Sequence, residues 1–170
     1  MRVLHHCASP LGALTLASDG EALTGLWFDG QRWYAEGLRG DEPEKDLPVF
    51  RQTEDWLAAY FQGRVPDFVP PLRLEGSAFQ MRVWALLLNL PYGQTVTYGE
   101  IADALAAESG KRPAPRAFGA AVGHNPVSLI DPCPRVSGAG GRLTGYAGGL
   151  DRKLKLLQLE GAADFLQNKA

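Results

Sequence analysis

Thr97-Tyr98-Gly99-Glu100-Ile101-Ala102-Asp103-Ala104-Leu105-Ala106-Ala107, a polar loop from Glu108 to Pro113, and then Ala114-Pro115-Arg116-Ala117-Phe118-Gly119-Ala120-Ala121-Val122-Gly123: this stretch decides the fold. Thr97 followed three residues later by Glu100 has the form of a capping box, in which hydroxyl and carboxylate satisfy orphan backbone amides. A helix therefore opens there and runs through Ile101 and Leu105 to about Ala107. A second helix runs from about Ala114 to Gly123 and is stopped by Pro126, which disfavours helical geometry at Asn125 and donates no backbone hydrogen bond. Short helix, loop, short helix predicts a helix-turn-helix. The second helix is slim, with Ala114, Ala117, Gly119, Ala120 and Ala121, and Arg116 as its only charge. Such a helix approaches another surface closely, either a neighbouring helix or a DNA groove in which backbone amides and Arg116 meet phosphates or bases. The lack of a strongly charged helix argues against reading one particular base sequence.

Upstream, Ser77-Ala78-Phe79-Gln80 is another capping box, and Phe79, Val83, Leu86, Leu87 and Leu90 form one apolar stripe, so a core helix follows. Gly63 to Gly76, with Pro66, Pro70 and Pro71, reads as an extended linker, and a domain boundary falls near residue 75. Before it, Val49, Thr53, Trp56, Leu57, Tyr60 and Phe61 recur at helical spacing. Arg2 to Ala8, Ala13 to Ala17 and Leu23 to Phe28 are short runs separated by the turn formers Ser9-Pro10-Leu11-Gly12 and Ser18-Asp19-Gly20. The prediction is an α+β protein. Residues 1–75 form a small antiparallel sheet with a helix, and residues 76–170 form a helical, winged-helix-like helix-turn-helix domain. Trp27, Trp33 and Trp56 belong to the core or to partly buried surface, and Lys153 and Lys155 to a solvated helix face.

At 170 residues and 45% hydrophobic composition, the chain can bury a core without staples. Cys7 and Cys133 are its only cysteines, which reads as free thiols in a reducing cytoplasm. No apolar run approaches the roughly 20 residues of a membrane helix. The net charge of -2 hides an asymmetry: residues 1–75 hold 12 acidic and 7 basic side chains, and residues 76–170 hold 7 acidic and 10 basic. The second half is the phosphate-facing candidate. Alternation along a strand would put His5 and Cys7 on one face and His6 on the other, with fewer than four ligands, so no metal is expected.

The remaining signal is Asn125-Pro126-Val127-Ser128-Leu129-Ile130-Asp131-Pro132-Cys133-Pro134-Arg135-Val136, followed by Leu143-Thr144-Gly145-Tyr146-Ala147-Gly148-Gly149-Leu150. A cysteine between two prolines, with a basic residue two positions on, is held for its sulfur. The segment resembles the active-site signature of the O6-alkylguanine-DNA alkyltransferases, with Pro134 where that family carries histidine. The resemblance covers nearly the whole chain and is strongest from Phe79 to Gly161. It implies Cys133 as the alkyl acceptor, Tyr98 as the residue that helps rotate the nucleotide out of the duplex, and Arg116 as the side chain that fills the vacated stack. It implies Asn125 as a hinge between recognition helix and active-site turn, Tyr146 and the Gly148-Gly149 turn as the loop closing the guanine pocket, and Glu160 as the carboxylate of a cysteine, water, histidine and glutamate network. Arg135 joins the DNA- and base-binding set. The implied partner is double-stranded DNA containing O6-alkylguanine, met in the cytoplasm by a monomer that uses no dissociable cofactor.

Chemistry on a stacked base requires extruding it. Displacing an alkyl group from the guanine oxygen requires a thiolate, and a free cysteine has a pKa of about 8.5. With Pro134 in the histidine position, activation falls to positive potential from Arg135, to backbone amides, or to His124. Asp131, two residues from the sulfur, would oppose ionisation unless Arg135 neutralises it. Two readings stay open at this point: irreversible transfer to Cys133, or a lesion-sensing DNA-binding protein with weak or no transfer. A plain helix-turn-helix regulator is disfavoured by the glycine-rich pocket and the poorly charged second helix.

Overall fold

The structure is a computed structural model that describes residues 2–31, 34–35, 37–131, 135–137 and 149–161. The chain divides into two compact units, Met1–Glu75 together with Pro126–Ser128, and Gly76–Asn125 together with Leu129–Ala170.

In the first unit, β1 (Val3–Cys7), β2 (Leu14–Ser18) and β3 (Leu23–Phe28) form an antiparallel sheet in that order, with a register shift at Ala17/Ser18. The central strand is buried along its whole length, including Thr15 and Ser18. Both polar side chains are satisfied: the Thr15 hydroxyl donates to Asp29 at 2.7 Å and the Ser18 hydroxyl to the Ala22 carbonyl at 2.6 Å. Helix α1 (Pro48–Phe61) begins with proline in its first turn, where a missing N–H costs nothing, and buries Val49, Phe50, Thr53, Trp56, Leu57 and Tyr60. The outer edge of β3 is covered by two short segments. Leu23 exchanges backbone hydrogen bonds with Pro71 and Arg73, and Leu26 does so with Pro126 and Ser128 at 2.8 and 2.9 Å. Part of the proline-rich stretch read as a linker thus serves as sheet edge.

In the second unit, both capping boxes form. Ser77 caps α2 (Ala78–Leu88) and Thr97 caps α3 (Tyr98–Ser109), each with its reciprocal Gln80 or Glu100 contact. Gly110, with φ of 75°, ends α3 in the left-handed conformation glycine favours, and α4 (Pro115–Gly123) follows. Strand β4 (Val96–Thr97) pairs in parallel with β5 (Val136–Ser137), and α5 (Leu150–Glu160) closes the unit. Helix α2 departs from the expected stripe. Val83, Trp84 and Leu87 are buried, while Phe79 and Leu86 are only half-buried and Leu90 lies beyond the helix end. Trp84 earns its place through its indole N–H, which donates to the Ala121 carbonyl at 2.8 Å. That carbonyl lies in the last turn of α4, where intrahelical donors run out. Trp84→Phe keeps the ring and removes the donor, so we expect a loss of about 1–2 kcal/mol in chemical denaturation, with the helical circular dichroism signal retained.

Candidate functional site

The strand that follows the cysteine in sequence is fixed on several sides. Arg135 Nε donates to Glu160 Oε1 at 2.7 Å, and both side chains are buried. Arg135 Nη1 donates to the Leu90 carbonyl at 2.6 Å, and its guanidinium lies 5.6 Å from the Tyr92 ring centre. Glu160 Oε1 also accepts from the Gly93 amide at 3.0 Å. Gly93 has φ of 79°, and a Cβ there would stand 3.0 Å from the Glu160 carbonyl, so only glycine allows this approach without strain. Glu160 therefore has a buried partner in Arg135. The expectation that Arg135 faces DNA meets a physical obstacle, because its cation is inside the unit and already shared among a carboxylate, a carbonyl and an aromatic face.

Lys153 is also placed differently from the solvated face expected of it. It is 1% exposed and donates from Nζ to the Val136 carbonyl at 2.6 Å, whereas Lys155 is exposed. The signal was available in the sequence: 153, 156, 157 and 160 follow the i, i+3, i+4, i+7 pattern, which puts Lys153 and Glu160 on one stripe with Leu156 and Leu157. The other side of β5 pairs with β4, Val96 opposite Val136 and Thr97 opposite Ser137. Tyr98 is the next residue along. The strap after the cysteine is thereby registered against the start of the helix-turn-helix.

Before the cysteine, Asn125 is buried and donates from Nδ2 to the Asp131 carbonyl at 2.6 Å, tying the end of α4 to the turn. Leu129, buried within that turn, has φ of 74°, a conformation a branched side chain adopts at a cost. Asp131 is fully buried, and neither carboxylate oxygen has a hydrogen-bond partner among the described residues. Burial pushes its pKa from 3.8 to about 8. Neutralisation by Arg135, the condition under which Asp131 would not oppose ionisation of the thiol, is not found among the described contacts: Arg135 serves Glu160, and loss of water favours the uncharged acid form of Asp131 at neutral pH.

On the helix-turn-helix, α4 packs Phe118, Ala121 and Val122 inward and leaves Arg116, Ala117 and Ala120 exposed. A Cβ at Gly119 would meet nothing within 4 Å. Small residues thus line the outward face as well as the packed one. Tyr98 is half-buried with its ring edge-on to Phe118, centres 5.2 Å apart, and the two line a concavity with Gly99, Ala102, Pro115 and Gly119. Exposed α3 positions carry Glu100, Asp103 and Glu108, and the loop and α4 carry Lys111, Arg112 and Arg116, with Arg112 paired to Asp103.

Cys133, Pro134, Tyr146, Gly148 and Trp33 lie outside the described residues. Trp27 and Trp56 are buried. In β1, His5 Nε2 hydrogen-bonds Glu54 at 2.9 Å and its ring stacks on Phe50, and His6 Nδ1 meets the Thr15 hydroxyl at 3.1 Å. Among the described residues no group of three or more His, Cys, Asp or Glu is arranged to hold a metal ion, and no helix is long and apolar enough to cross a membrane.

Fold and site together define an α+β protein of two units, with a helix-turn-helix registered against a strap that an internal ion pair holds in place. Residues 3–74 match the ribonuclease-like domain of 6-O-methylguanine DNA methyltransferase, and residues 78–162 match its DNA binding domain. The chain belongs to the 6-O-methylguanine DNA methyltransferase family. It is 46% identical over 157 residues to the methylated-DNA–protein-cysteine methyltransferase of Mycobacterium tuberculosis, covering 89% of this chain and 88% of that one. Its counterpart of the same name from Haemophilus influenzae is 42% identical over 153 residues, covering 89% and 82%. The crystal structure of Mycobacterium tuberculosis OGT in complex with DNA superposes with a TM-score of 0.81 at 44% identity, covering 98% of this chain and 99% of that one.

Asp131 gives the site a pH signature. Its folded pKa lies above the unfolded value, so the stability it supports is complete below about pH 4 and is lost as pH rises toward 8. Asp131→Leu removes this dependence. Its stability advantage over the parent, read from denaturant melts, should widen by about 1.4 kcal/mol per pH unit across that window, or roughly 4 kcal/mol between pH 5 and pH 8.

Proposed function

We propose that this chain repairs O6-alkylguanine in DNA by moving the alkyl group irreversibly onto the sulfur of Cys133. What carries the reading is that the two domains of one family match along the chain, while the relatives are named for transfer from methylated DNA to a protein cysteine. Two cysteines could be that acceptor. Cys7 sits in β1 of the ribonuclease-like half, where burial, with Glu54 and Asp29 nearby, pushes its thiol up to about 11. Almost none of it is thiolate at neutral pH. Cys133 lies in the DNA-binding half. The lesion-sensing alternative is not favoured, because relatives at 42–46% identity carry the transferase name.

In this reading α4 enters a groove with its slim face, Arg116 takes the space of the extruded nucleotide, and Tyr98 steers the flip. The outward Ala117 and Ala120 and the open space at Gly119 support that placement, since they allow the helix backbone to come close to phosphates. Tyr146 and Gly148 close over the base. Asn125 couples α4 to the turn before the cysteine, and the Arg135–Glu160 pair holds the strap after it. Arg135 here supports the site instead of touching DNA. The new sulfur–carbon bond forms as the carbon–O6 bond breaks, and guanine leaves with the electron pair and regains a proton. The thioether is not reversed, so one chain serves one lesion without a dissociable cofactor. A reaction that consumes a free thiol suits a monomer in the reducing cytoplasm.

Intact-protein mass spectrometry after incubation with an oligonucleotide carrying O6-methylguanine should find one methyl on Cys133 and none on the Cys133→Ser variant. Failure of the parent to gain a methyl, with undiminished preference for damaged DNA, would restore the lesion-sensing reading. Ala120→Glu, on the outward face of α4, should weaken DNA binding by roughly tenfold or more in a filter or anisotropy assay. Its stability should stay within about 0.5 kcal/mol of the parent.

A further inference from the structure

After α4 the chain leaves the second unit and comes back to it. Asn125 and Leu129 belong to the second unit, whereas Pro126–Ser128 between them belongs to the first. Within the first unit Leu26 donates to the Pro126 carbonyl at 2.8 Å and accepts from the Ser128 amide at 2.9 Å, so Val127 pairs in parallel with Leu26 at the edge of β3. Within the second unit the Asn125 side chain donates to the Asp131 carbonyl at 2.6 Å and draws the two ends of the excursion together. Residues 125–131 are therefore a closed loop whose apex is a piece of sheet. Both ends being tied, the reversal falls to the residues between Ser128 and Asp131, and Leu129 takes it up at φ of 74°.

A single backbone bridge does not hold register firmly, and a slip by one residue would turn Val127, fully buried here, to the opposite face. Two side chains supply the missing constraint. Gln31 Oε1 accepts from the Phe28 amide at 2.8 Å, while the Gln31 amide donates to the Phe28 carbonyl at 3.2 Å, which fixes the side chain against the end of β3. The same Oε1 accepts from the Ser128 hydroxyl at 3.4 Å, using the second lone pair of the amide oxygen. Both side chains are buried. One oxygen thus measures the end of β3 against the returning segment.

We propose that Gln31 and Ser128 are positioning residues: they lock Pro126–Ser128 in register on β3 and so hold the turn Leu129–Asp131 that leads the chain to position 133. The inference rests on the transfer reading, in which that position carries the alkyl acceptor. Neither residue belongs to the set implied to touch DNA or the lesion. With the lock removed, the segment shifts on its bridge, Leu129 relaxes from its left-handed conformation, and the turn delivers the chain differently. A misplacement of about 1 Å is enough to slow a reaction as much as 100-fold, while the surface that meets DNA is unaltered.

The test compares the parent with Ser128→Ala, Gln31→Met, their double variant, and Gln31→Glu, which keeps an oxygen at the accepting position. Single-turnover transfer from a saturating O6-methylguanine duplex is followed by mass spectrometry, lesion affinity is measured separately, and hydrogen exchange of residues 125–131 is compared with that of β2. Ser128→Ala should transfer about tenfold more slowly at saturation, with lesion affinity within about twofold and faster exchange confined to residues 125–131. Gln31→Met should be at least as slow, and the double variant no slower than Gln31→Met, because both changes break the same contact. Gln31→Glu should stay within about threefold of the parent. A Ser128→Ala chain that transfers and exchanges like its parent overturns the proposal, as does a double variant slowed by the product of the two single effects. A parent that gains no methyl removes the transfer reading and leaves exchange to decide: unchanged exchange in Ser128→Ala then overturns the hold on the turn, and faster exchange confined to residues 125–131 upholds it.

Discussion

The arrangement of the second unit depends on the buried pairing of Arg135 with Glu160. Each charge alone would be costly to take out of water, and breaking such a pair by removing one partner typically costs about 3–5 kcal/mol. Together they gather three separate pieces of chain: the Leu90–Gly93 loop, the start of β5 and the end of α5. The geometry is tight enough to require glycine at position 93. Cys133 lies two residues before this anchor and two after Asp131, whose carbonyl Asn125 holds. The chain is therefore restrained on both flanks of position 133, the residue that the proposed reaction uses as its acceptor.

Against that order stand two local irregularities within three residues. Leu129 occupies a left-handed backbone conformation, and Asp131 buries a carboxyl with no hydrogen-bond partner among the described residues. Neither helps folding. Features that break local rules in an otherwise consistent structure concentrate where chemistry is done. The surrounding turn tolerates both because its ends are fixed elsewhere, by Asn125 on one side and by the Arg135 anchor on the other.

Much of the fold could be read directly from residues. Both capping boxes announced their helices, because Ser77–Gln80 and Thr97–Glu100 satisfy the same few backbone groups wherever they occur. The three strands and the helix-turn-helix followed from turn chemistry and spacing. Long-range polar contacts were less legible. Nothing local says that the Trp84 indole will meet the Ala121 carbonyl, or that Arg135 will bind Glu160 across 25 positions, since such pairs arise only once elements pack. Lys153 was misread for another reason. Its charge suggested water, while its place on the Leu156–Leu157 stripe put it inside, with a backbone carbonyl to receive its protons. The ionisation state of Asp131 was likewise a property of packing density, to which composition and order give no access.

The second segment covering β3 has a consequence for how the two halves of this sequence can be handled. Pro126–Ser128 belongs to the first unit although 50 residues of the second precede it, and it supplies the hydrogen bonds for Leu26 on a strand edge that Pro71 and Arg73 cover at Leu23. A fragment cut at residue 75 would leave that edge half unpaired, a template for joining other chains. The halves are thus not interchangeable cassettes. A chimera between two members of the family would have to inherit its 126–128 segment from the same parent as its β3, or tolerate a seam through the middle of a sheet.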